Sequence, residues 1–118
     1  MKTIDWMYHR KGCTTCSKSD GFLSSHNLQV KKIVDCKKEV MQLEEALSLL
    51  SGIDKIYATK GVKVVELNLK ASKPTESQVA ELLIGPSGKL RAPTIISGKT
   101  MLVGFNETMY RDALSIKS

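Results

Sequence analysis

The sequence predicts an α/β domain: a mixed four-stranded sheet flanked by helices, with a helical segment in the middle. Three observations lead there. An apolar run with Ile4, Trp6, Met7 and Tyr8 leads into Gly12-Cys13-Thr14-Thr15-Cys16, a helix-like pattern, and then a β-branched run from Val30 to Val34. In the last third, Pro93 opens two apolar runs separated by Ser97-Gly98-Lys99, and a capped helix follows. Between these blocks, apolar residues recur at helical spacing. The 118 residues are expected to form one domain, 1–118, large enough for a true core.

The first run reads as a buried strand, and Gly12 suits the sharp turn that ends it. From Thr14 onward, Ser17, Lys18, Phe22 and Leu23 fit a helix with Cys16 in its first turn, and Asn27 can take the left-handed cap that closes it. Val30 to Val34 is expected to run parallel to the first strand, which makes a βαβ unit. From Glu39, the residues Val40, Leu43, Ala46, Leu47 and Leu50 outline a core-facing helix that ends near Gly52. Residues 53–69 satisfy two patterns: Val62, Val65 and Leu69 fit a helix, and Val65, Leu67 and Leu69 alternate as in a strand. Pro74, Thr75 and Ser77 announce a helix carrying Val79, Leu82 and Leu83, stopped by Gly85-Pro86-Ser87-Gly88. Pro93 stands at the start of a strand, where proline is tolerated, and the turn at 97–99 makes an antiparallel hairpin with 100–104. Asn106 is a good N-cap for the final helix, which runs to about Leu114, and Phe105 can staple onto Tyr110.

The chemistry concentrates at Cys13 and Cys16. Cys13 falls at a helix N-terminus, where free N–H groups and the macrodipole favour an anion, so its thiolate is stabilised and it is the expected nucleophile. Cys16, one turn on, can attack a mixed disulfide on Cys13 and resolve it. A zinc half-site is the first bland alternative, but it wants four ligands, and His9, His26 and Cys36 show no paired spacing. Two inert, packed cysteines are the second. The basic neighbours His9, Arg10, Lys11 and Lys18 speak against inertness. The third thiol, Cys36, reads as a half-buried residue at a strand end.

Composition narrows the classes. No apolar run approaches the roughly 20 residues that span a bilayer, and Met1-Lys2-Thr3-Ile4-Asp5 lacks a signal-peptide core, so a cytoplasmic chain without membrane contact is expected. In that compartment a CxxC is catalytic or metal-binding more often than structural. The net charge of +6 suits anionic partners, but the lysines are scattered and few aromatics offer base stacking, which argues against nucleic acid.

The chain also resembles the arsenate reductase (ArsC) and Spx family of thioredoxin-like proteins. Gly-Cys-Thr-Thr-Cys-Ser-Lys at 12–18, Leu90-Arg91-Ala92-Pro93-Thr94-Ile95 and Leu102-Val103-Gly104-Phe105-Asn106-Glu107 carry the likeness, in order and at similar mutual distances. The resemblance implies a thioredoxin-like fold in which Pro93 is cis and faces the cysteines. It implies catalytic Cys13 and Cys16, with Gly12, Thr14, Thr15, Lys60, Arg91, Pro93 and Thr94 around the substrate. Arg91 aligns with an arginine that arsenate reductases use on the oxyanion, although here Ala92 separates it from Pro93.

The function expected is thiol–disulfide exchange on a small thiol or protein disulfide, with glutathione or a thioredoxin-type reductant as electron donor. No bound cofactor or metal is expected, and the chain is expected to act as a monomer. Arsenate reduction, with an oxyanion held by Arg91, is the enzymic alternative. A Spx-like redox-sensing adaptor of the transcription machinery is the alternative from another class, and an end only four residues past Leu114 is read as leaving it no extended tail.

Overall fold

The computed structural model of the protein describes residues 3–61, 63–71, 74–86 and 88–114; Val62 and Ser87, used in the readings above, lie outside them. In chain order the elements are β1 (Thr3–Ile4), β2 (Trp6–His9), α1 (Thr14–Ser25), β3 (Gln29–Val30), β4 (Ile33–Asp35) and α2 (Leu43–Ser48), followed by β5 (Lys55–Lys60), β6 (Lys63–Asn68), α3 (Glu76–Leu83), β7 (Thr94–Ser97), β8 (Thr100–Val103) and α4 (Glu107–Ala113).

The main sheet has the order β4-β2-β7-β8-β5-β6, and β1 pairs separately with β3. It is mixed, as expected: β2 runs parallel to β4 and β5 parallel to β8, while the β2–β7, β7–β8 and β5–β6 pairs are antiparallel. It has six strands where the sequence suggests four. The difference lies in residues 55–68, which form a hairpin. Pairing of Ala58 with Val103 and Ile56 with Met101 buries both β5 residues completely, and this tertiary contact overrides the competing helical spacing.

The expected strand from Val30 to Val34 is two short pieces. The chain still follows its neighbour, because the Lys31 N–H donates to Ile4 O at 2.8 Å and the Met7 N–H to Lys32 O at 2.9 Å. The helix expected from Glu39 begins only at Leu43. Gln42 and Glu45 form its capping box, and the stretch before it is held in other ways. The Tyr8 hydroxyl donates to Glu39 O at 2.8 Å and accepts from the Met41 N–H at 3.0 Å, while the Leu90 N–H donates to Met41 O at 2.8 Å. Val40 is therefore exposed rather than part of the helical core face.

The two-residue alternation of the strands divides the core in two. Met7, Ile95 and Leu102 face one side with Phe22 and Leu23 of α1 and Met109 and Tyr110 of α4. Tyr8, Met101 and Val103 face the other with Ala46 of α2 and Val79, Leu82 and Leu83 of α3. Slipping a strand by one residue would turn its buried set to the wrong face, at about 1.5–3 kcal/mol for each large side chain exposed, so the register is firmly set.

Local chemistry closes the helices as the sequence suggests. Asn27 has φ 56°, and the Leu28 and Asn27 N–H groups return to Leu23 O and Ser24 O at 2.9 and 3.2 Å. Asn106 caps α4 through the Met109 N–H, and the Phe105 ring lies 4.8 Å from that of Tyr110. The Ala92-Pro93 bond is cis.

Candidate functional site

The strand β2 ends at His9, and Gly12, with φ 79°, bends the chain into α1. An L side chain rarely adopts that conformation, which is why glycine sits there. His9 Nε2 and Asp20 Oδ2, 2.8 Å apart, tie the strand end to the helix. Cys13 is the residue that caps α1, in extended backbone conformation, and its Sγ accepts the Cys16 N–H at 3.4 Å.

The two thiols lie in opposite surroundings. Cys13 is half-exposed and Cys16 is fully buried. Burial works upward on the Cys13 pKa, but N–H groups of Cys16 and Thr15, the Cys16 thiol and the Arg10 charge outweigh it and bring the pKa below the ordinary thiol value. For Cys16, burial dominates; a hydrogen bond with the Arg10 backbone opposes it, the neighbouring Cys13 adds to it, and the pKa is pushed up to about 12. A thiolate thus forms first on the half-exposed sulfur of Cys13. Alkylation with iodoacetamide should follow the same order: Cys13 should react with a midpoint below that of an unperturbed thiol, and Cys16 only in strong alkali. Coincident pH profiles, measured on Cys13→Ser and Cys16→Ala, would contradict this asymmetry.

Cys13 opens into a pocket of about 460 Å³ that Tyr8, Val40, Leu90 and Ala92 also line. Its remaining walls are Arg10, Cys36, Lys37 and Lys89. Among the described residues, three cations and no carboxylate line it. The Cys36 N–H is fixed to His9 O at 2.9 Å, which holds this third thiol beside the end of β2.

The residues expected around the substrate divide into two groups. Gly12, Thr14 and Thr15 are exposed at the mouth of α1, next to Cys13. Pro93 and Thr94 are buried and do not line the pocket: Pro93 O accepts the Gly104 N–H at 2.8 Å, and the Thr94 hydroxyl donates to Arg91 O at 2.7 Å. Ala92, beside them, is the residue that reaches the pocket. Arg91 and Lys60 lie elsewhere. The half-buried Arg91 guanidinium donates to Thr59 O (2.7 Å), Thr59 Oγ1 (2.9 Å) and Leu82 O (3.2 Å), and Lys60 pairs with Glu81 at 2.7 Å. Neither lines the Cys13 pocket.

Lys37, Val40 and Lys89 were not among the expected site residues, and they come from two segments remote in sequence. A partial signal exists for Lys37. It follows a strand parallel to β2, and ligands in such sheets gather beyond the carboxyl ends of parallel strands.

Known proteins resemble this chain in sequence and in fold. Residues 8–113 match the model of the ArsC family. The regulatory protein MgsR of Bacillus subtilis is 32% identical over 103 residues, covering 84% of this chain and 81% of its own. The global transcriptional regulator Spx of Listeria monocytogenes is 30% identical over 109 residues, 89% of this chain and 82% of its own. Among solved structures, one from Staphylococcus aureus has a TM-score of 0.56 at 22% identity, over 97% of this chain and 99% of that one. A second, from Bacteroides fragilis and described as related to the ArsC family, has a TM-score of 0.54 at 18% identity, over 91% and 96%. These likenesses show the thioredoxin-like fold, and among the described residues no helix is long and apolar enough to cross a membrane. With its family match extending from the second strand to the last helix, the chain belongs to the ArsC family.

Proposed function

We propose that this chain is a thiol–disulfide redox protein working through Cys13 and Cys16. The observation that carries the reading is the opposed setting of the two thiols, one half-exposed at the pocket and the other fully buried one helical turn on. The Cys13 thiolate attacks one sulfur of a substrate disulfide, and the other half leaves as a thiolate and takes up a proton. Cys16 then attacks Cys13 Sγ, and its proton passes to the second departing half. The substrate gains two electrons and becomes two thiols; the protein loses two and holds a Cys13–Cys16 bond. A glutathione or thioredoxin-type reductant returns the pair to its thiol form, in a cytoplasmic setting.

The reading is tested by mild oxidation of the full chain, followed by mass mapping of its disulfides. A Cys13–Cys16 bond that dithiothreitol reverses, with Cys36 still free, is the expected result. A dominant bridge to Cys36, or no intramolecular bridge, would refute it. Arsenate reduction draws less support, because it would need Arg91 released from Thr59 and Leu82 and turned into the pocket.

A second reading is favoured by the relatives, which are named as transcriptional and regulatory proteins. The same dithiol then serves as a switch on a surface that engages the transcription machinery. The two uses separate on two measurements: multiple turnovers of disulfide reduction mark an oxidoreductase, and redox-dependent binding to purified RNA polymerase without turnover marks a sensor.

A further inference from the structure

The pocket that opens beside Cys13 contains a second sulfur, that of Cys36. Cys16 does not line this space; it lies fully buried under the helix end. A group joined to Cys13 as a mixed disulfide has the pocket as its room, so its own sulfur enters a space that Cys36 also lines. The cations Arg10, Lys37 and Lys89, with no carboxylate among the described lining residues, favour a group that carries negative charge.

We propose that Cys36 is a third redox-active thiol, which receives a small anionic thiol group by transfer from Cys13. The inference rests on the proposed role of Cys13 as nucleophile. The two neighbouring thiols attack different sulfurs of one intermediate. Cys16 attacks Cys13 Sγ and expels the small thiol. Cys36, once deprotonated, attacks the outer sulfur: a new bond forms between Cys36 and the small group, the bond to Cys13 breaks, and Cys13 departs as a thiolate. No net oxidation accompanies this step, because one disulfide is exchanged for another; the oxidising equivalent entered with the substrate disulfide. The proton from Cys36 goes to solvent, and the low pKa of Cys13 makes it a good leaving group. The product fills the pocket while leaving Cys13 reduced, so a thiolated Cys36 blocks further substrate.

Oxidised glutathione, a small anionic disulfide, is the probe. The full-length Cys16→Ala variant is incubated with it, quenched with acid at intervals, and mapped by mass spectrometry. The glutathionyl group is expected first on Cys13 and then on Cys36. In Cys13→Ser/Cys16→Ala, labelling of Cys36 should slow by roughly tenfold or more, because the transfer is no longer intramolecular. An adduct that stays on Cys13 alone, or Cys36 labelled equally fast without Cys13, overturns the proposal and leaves the dithiol reading standing. No adduct on Cys13 at all overturns both. The fully buried Cys16 site can make its variants unstable, so a second measurement keeps Cys16 in place. Cys36→Ser should then show less glutathionylated protein and more Cys13–Cys16 bond at early times than the wild type, and an unchanged partition again overturns the proposal.

Discussion

Cys13→Ser should abolish disulfide exchange, lowering the rate by roughly a thousandfold or more, since an alcohol at this cap is neither ionised nor nucleophilic near neutral pH. Cys16→Ala should behave differently. It retains the attacking thiolate, so a first burst of released thiol persists while turnover stops, and a mixed disulfide accumulates on the protein. Stopped-flow release of a chromogenic thiol, followed by mass measurement, distinguishes the two. If Cys13→Ser kept appreciable exchange, or if Cys16→Ala turned over normally, the division of labour between an exposed attacker and a buried resolver would fail.

Gly104→Ala should cost about 2–5 kcal/mol of stability, adding the strain of a left-handed backbone to that of an overfilled site. Gly104 follows β8 with φ 83°, and its N–H and C=O are both engaged, by Pro93 O and by the Tyr110 hydroxyl at 3.2 Å. A Cβ here would overlap Thr59 Oγ1 and stand 3.2 Å from an Arg91 guanidinium nitrogen. Relief would mean pushing Thr59 from Arg91, which breaks the hydrogen bonds that tie the end of β5 to the stretch before Pro93. Urea unfolding should show a lower midpoint with an unchanged slope. A midpoint equal to that of the wild type would mean that Thr59 and Arg91 yield easily.

What the sequence disclosed depended on whether the deciding interaction was local. The Cys13 cap, the left-handed Asn27 and the Phe105–Tyr110 staple each involve residues a few positions apart, and all are present in the structure. Residues 53–69 fit two periods at once, and the choice came from β8, more than forty residues on by the Ala58–Val103 pairing. Val40 has helical spacing to Leu43 and Leu47, but the Tyr8 hydroxyl and the contact of Met41 with Leu90 hold its segment apart from the helix. Alignment to a family block gives Arg91 a position in the chain but no direction for its guanidinium, which points to Thr59 and Leu82. The pocket is a similar case. Arg10, Lys37 and Lys89 meet only because three segments converge, and no single stretch of sequence carries that information.

The burial of Cys16 has a consequence for the return path. In the proposed disulfide form, with Cys13 lining the pocket and Cys16 buried as they are here, an incoming reducing thiolate strikes Cys13 and expels Cys16. Leaving groups of high pKa depart slowly, and burial, ahead of the neighbouring Cys13, holds Cys16 up at about 12. Closing the bond meets the same obstacle, because Cys16 must ionise before it can attack. In the proposed cycle both the making and the breaking of the bond therefore run through the buried sulfur, and its burial sets the pace in each direction.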